Sequence, residues 1–263
     1  MKHFVKTLLT ATLCALSIQT FAAPQTSNNS NVNVSPAEQA KIEKVIREYL
    51  IAKPEILMQA FQVLQQRQYQ QAQQTFKQTQ KTAANFEKAL FHQANDPVAG
   101  NPNGKITVVE FFDYQCPHCV DMAPVIESAI KSNPDVRIVF KDFPIRGPMS
   151  EVAARAALAA NKQGKYYVFS HALLTANKPL TEDVIFEVAK NNGVNVEQMK
   201  KDMASAEINQ QLKANMKLAQ DLKLFGTPAF FIGKTTGNKD INYSPGQLDT
   251  KQLQQIIDKT DQS

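Results

Sequence analysis

The strongest constraint on this chain is the tetrapeptide Cys116-Pro117-His118-Cys119, which follows the apolar, β-branched run Ile106-Thr107-Val108-Val109-Glu110-Phe111-Phe112. A continuous apolar run of this kind reads as a central strand buried on both faces. Proline after the first cysteine suits the opening turn of a helix, so the pattern predicts a helix over 117–131 and then a second strand over 136–143. The first cysteine is thereby set at the exposed amides and positive end of the helix dipole. Two thiols with two residues between them at such a helix start can close a small disulfide without moving the backbone.

That strand-helix-strand unit, with its C-x-x-C at the helix start, has a thioredoxin-like arrangement. Cys116 is the expected nucleophile, because the helix terminus and the nearby imidazole of His118 both favour the thiolate. A stabilised reduced form makes an oxidising disulfide. Pro117 preorganises the first turn and Cys119 resolves the mixed disulfide. Two blander readings compete. Half of a zinc site needs further ligands, yet there is no second cysteine pair, and His92 and His171 show no ligand spacing. A structural disulfide closing so short a loop removes little unfolded-state entropy. No metal and no cofactor are therefore expected.

Composition sharpens this. The chain has three cysteines in 263 residues and a net charge of +5, spread without a clustered basic face, so nothing calls for nucleic acid. Lys2 and Lys6 precede an apolar run from Leu8 to Ile18 and then small residues, the order of a secretory signal peptide over 1–22, with cleavage after Ala22. The run is too short to span a bilayer. Cys14 leaves with it, so the exported chain keeps Cys116 and Cys119 alone, in an oxidising compartment.

Residues 23–34, rich in Asn, Ser and Gln, read as a flexible leader. Ser35-Pro36-Ala37-Glu38 is a capping-box start, after which Ile42, Val45, Ile46, Tyr49 and Leu50 recur at helical spacing. Pro54 breaks that helix and opens another, whose glutamine-rich continuation reaches residue 80. Apolar stripes this thin need a partner surface, so 35–92 is expected to be a helical arm for dimerisation, the alternative being an arm folded on its own body. Residues 96–104 read as linker and turn, and 93–263 as the main domain. Within it, 148–225 form a helical insertion, followed by a strand over 229–232, an edge strand over 240–243 and a last helix over 250–259.

Two further features bear on the site. Thr227-Pro228 enters a strand after Gly226, where a cis peptide bond and a substrate-docking backbone are expected beside the C-x-x-C. Glu110 is a charged residue in an otherwise apolar strand, suited to proton traffic or redox tuning. Its structural alternative is an ion pair, with Lys141 of the next strand as partner. Asp113 and Asp121 read as solvated charges flanking the site.

The residues 109–119, Val-Glu-Phe-Phe-Asp-Tyr-Gln-Cys-Pro-His-Cys, together with Lys141-Asp142-Phe143-Pro144 and Gly226-Thr227-Pro228-Ala229-Phe230, resemble the DsbA family of bacterial thiol-disulfide oxidoreductases. The resemblance runs from about residue 85 to the C-terminus. It implies an α/β thioredoxin fold with an inserted helical domain, a periplasmic location and oxidation of exported proteins. Clients would be unfolded or misfolded exported proteins, and a membrane partner of the DsbB or DsbD type would reset the pair. The extra arm is similar to that of a dimeric DsbA-like subgroup, typified by an outer-membrane protein of intracellular pathogens and by a Legionella homologue. This implies a homodimer, with outer-membrane association as a further implication. Thr227 before the proline is a choice shared with disulfide isomerases, so isomerisation is expected beside oxidation. The competing reading is a periplasmic holdase that captures clients with its arm, its redox activity being secondary.

Overall fold

The structure, a computed structural model, describes residues 34–237 and 240–262. The expected signal peptide over 1–22 lies outside the described residues, as does the leader except for Val34. The chain divides into two compact units, one ending at Phe61 and the other beginning at Gln62.

The first unit holds helix α1, Pro36–Ala52, and the opening turns of α2, Glu55–Thr82. Ser35 accepts from the Glu38 amide while the Glu38 carboxylate accepts from the Ser35 amide, the reciprocal cap expected from the sequence. No residue of α1 is buried; Ile42, Val45, Ile46 and Tyr49, spaced along one face, are each at least half exposed.

The second unit is built on a five-stranded sheet in the order β1-β3-β2-β4-β5. The strands are β1 Val98–Gly100, β2 Ile106–Phe112, β3 Val136–Asp142, β4 Ala229–Lys234 and β5 Asn242–Pro245. Strands β2 and β3 are parallel and the other pairings antiparallel. The connection between the parallel pair is α4, Pro117–Ser132. Strand β1 lies inside the stretch expected to be linker. There Gly100 takes φ +73°, and a Cβ would come within 2.6 Å of the Val136 carbonyl, so glycine lets this edge close on β3.

Every side chain of β2 is buried. Its alternation sends Ile106, Val108 and Phe112 into a core shared with α4 and the helical domain, and Val109 and Phe111 into a second core on the opposite face. That second core includes Ala83, Leu90 and Phe91, from a 3-10 turn, Ala83–Phe86, and helix α3, Glu87–Phe91, and also Leu218 and Ala219 of helix α9, Ala206–Asp221. The Thr79 hydroxyl donates to the Leu222 carbonyl, tying the end of α2 to this layer. The helical insertion is α5 Pro148–Asn161, α6 Tyr166–Leu174, α7 Glu182–Asn191, α8 Val196–Met203 and α9; α10, Thr250–Gln262, closes the chain.

Candidate active site

Cys116 caps the N-terminus of α4, with an extended backbone at φ −87°, ψ 115°, and Pro117 is the first helical residue. Both cysteines are reduced and buried. The Thr227–Pro228 peptide is cis, as expected, and its loop lies against the nucleophile: Cys116 Sγ is 3.2 Å from the Thr227 carbonyl oxygen. Among the described residues, the Thr227 hydroxyl is a buried group without a hydrogen-bond partner.

The two cysteines are driven apart in acidity. Burial raises Cys116, but the neighbouring Thr227 side chain, the Cys119 amide and thiol, and the positive charge of Arg146 outweigh it and hold the thiol below its ordinary range. Cys119 goes the other way, pushed far up by burial and then by the Glu110 carboxylate. One sulfur is thus prepared as a thiolate and the other as a thiol. Arg146 was not anticipated from the sequence, which offered His118 as the positive group. His118 is exposed, and its Nδ1 lies 3.1 Å from Gln247 Oε1, while the Gln247 amide donates to Asp121 at 3.4 Å. Gln247 arrives from the loop after β5, and no local pattern marks it.

Glu110 is buried beneath the pair on the face of β2 that meets α4, and burial, followed by the nearby Cys116, lifts its carboxyl to about 8. The ion pair with Lys141 does not form. In the parallel register Glu110 stands opposite Phe140 and Lys141 opposite Phe111, so the two side chains leave opposite faces of the sheet. Lys141 instead makes a buried pair with Asp96 and donates to the Ala89 carbonyl. Burial draws both groups toward neutrality, and their mutual attraction opposes it.

Asp113 is corrected too. It is buried rather than solvated, accepting from the amides of Gln115, Ile145 and Arg146 and from the Ser150 hydroxyl. Those bonds fix the loop that brings Arg146 to Cys116. Asp121 is exposed, as read from the sequence. Beside the tetrapeptide lies an open groove of about 570 Å³, bordered by Pro117 and Val120 on one side and Leu173, Leu174 and Leu180 on the other. Among the described residues no group of three or more His, Cys, Asp or Glu could hold a metal ion, and no helix is long and apolar enough to cross a membrane.

Comparison with known proteins agrees with this geometry. Residues 107–258 match the DSBA-like thioredoxin domain, and residues 38–71 match the N-terminal domain of copper resistance protein ScsC. A thioredoxin-like oxidoreductase from Silicibacter pomeroyi is 38% identical, covering 67% of this chain and 98% of its own, with a TM-score of 0.62. Salmonella enterica BcfH is 34% identical over 85% of this chain and 96% of its own, also at a TM-score of 0.62. A probable disulfide bond formation protein D from Bacillus cereus is 28% identical over 61% of this chain and 80% of its own.

Proposed function

Since this chain belongs to the DsbA-like thioredoxin family of thiol-disulfide oxidoreductases, we propose that it oxidises, and also isomerises, disulfides of exported proteins in the periplasm. The observation that carries this reading is the pair at the start of α4, with Cys116 set against the cis-proline loop and held low with the help of Cys119 and Arg146, and Cys119 buried above Glu110 and held high. A client thiolate attacks Cys116, the Cys116–Cys119 bond breaks, and Cys119 leaves with the electron pair. Glu110, which carries a proton at neutral pH, supplies the one that Cys119 takes up. A second client thiolate then attacks the client sulfur of the mixed disulfide and expels Cys116 as thiolate. The client dithiol is oxidised and the pair reduced; of the two client protons one is balanced on Cys119 and the other reaches solvent. The lowered pKa of the departing Cys116 speeds this last step.

Thr227 and Pro228 dock the client backbone beside the attacking sulfur, and the groove bordered by Val120 and Leu173 receives its apolar side chains. The exposed face of α1 supports self-association as a homodimer through the arm over 35–92. A membrane protein of the DsbB or DsbD type resets the pair. Insulin reduction and refolding of scrambled ribonuclease test the activity: Cys116→Ser should lower both by at least about a thousandfold, and retained activity would refute the mechanism. Thiol trapping in cells separates the roles, a mostly oxidised pair marking an oxidase and a mostly reduced pair an isomerase. The same exposed face supports a second reading, client holding by the arm. It requires aggregation suppression to survive loss of both cysteines.

A further inference from the structure

Resting on the exchange reading above, Glu110 must be reprotonated in every cycle although it is buried. Beside Cys119 is a small cavity of about 20 Å³, lined by Glu110 and Cys119 on one side and by Tyr167, Ser170 and His171 of α6 on the other. One water needs roughly 10–15 Å³ of such space and two to four polar partners. The lining supplies them: among the described residues, the Tyr167 hydroxyl and His171 Nε2 are buried polar atoms that make no hydrogen bond.

The geometry points to a proton route through this cavity, in which one water joins Glu110 to His171 and His171 exchanges protons with solvent beside Glu127. His171 Nε2 is 3.4 Å from Glu127 Oε2, within ion-pair range, so the ring that lines the cavity also faces a carboxylate at the surface. The His171 side chain is 27% exposed and that of Glu127 37%, so the route reaches the surface in one residue. Burial, and after it the Glu127 and Glu110 carboxylates, push the Tyr167 hydroxyl up to about 12, so it stays a neutral donor in the cavity wall.

A second polar chain also starts at the cavity, and exposure decides between the two. Ser170 contacts the Tyr114 hydroxyl at 2.9 Å, and Tyr166 donates to Asp142 at 2.9 Å. All four of these residues are buried, so that chain leads inward and has no access to solvent. An imidazole suits the outward task because it can both take up and release a proton. His171 touches no reacting sulfur and acts through Glu110.

The test is stopped-flow reduction of the oxidised protein by saturating dithiothreitol, with the proton uptake that follows thiol formation read by a pH-indicator dye. His171→Ala should slow this uptake by about tenfold or more, and free imidazole should restore it in a dose-dependent way. The glutathione equilibrium should stay unchanged, because the route alters how fast the proton moves and not where it ends. Wild-type speed in His171→Ala, a loss that imidazole does not restore, or a shifted glutathione equilibrium would each overturn the route. An oxidised wild-type protein that dithiothreitol does not reduce would instead overturn the exchange reading itself.

Discussion

Strand β2 and helix α1 are both rich in apolar residues, yet every side chain of β2 is buried and none of α1 is. The difference lies in pattern. The run in β2 is continuous, and a strand that is apolar on both faces gains a partner layer on each: α4 and the helical domain on one side, α3 and α9 on the other. The residues of α1 form a single stripe with polar residues between them, and within its own unit that stripe has no cover. Apolar residues in β2 therefore build stability, whereas those of α1 remain available for association.

The largest test of this contrast is truncation. Phe111→Ala should cost about 3–5 kcal/mol in urea unfolding, and a loss comparable to that of a surface substitution would break the comparison. Next comes pH. Glu110 is lifted to about 8 and Asp142 to about 7, mainly by burial, so the native state holds protons that the unfolded chain releases near 4. Their contribution is fully present in acid and is lost as pH rises through about 7 to 8. The reduced protein should lose a few kcal/mol between about pH 5 and 9, and Glu110→Gln should flatten the fall. A stability that rises across this window would contradict the burial of these acids. The smallest effect on stability belongs to the arm. Val45→Lys with Ile46→Lys should leave unfolding within about 0.5 kcal/mol while lowering the mass seen in sedimentation. Unchanged sedimentation would remove the arm from assembly.

Much of the fold and the heart of the site were legible because they depend on local pattern. Capping at Ser35, the helix start at Pro117 and the cis bond at Pro228 each follow from a few adjacent residues. Strand β1 was not legible, because three residues among prolines and glycines carry no periodicity. Charge alone also misled. Asp113 reads as solvated until the Ile145 and Arg146 amides arrive from a loop about thirty residues on. Lys141 reads as a partner for Glu110 until the register turns it to the other face. His171, Tyr167 and Gln247 reach the site only through tertiary packing, and a helical stripe in α6 looks the same whether or not it lines a cavity.

The exchange mechanism depends most directly on the ionisation of the two thiols. Thiolate absorbance of the reduced protein, titrated beside Cys116→Ser, should show one thiol ionising below the ordinary thiol range of about 8.5. That transition should vanish in Cys116→Ser, with Cys119 staying protonated well above the range. Two thiols ionising together near the ordinary value, or an early transition that survives in Cys116→Ser, would contradict the opposed preparation of the pair.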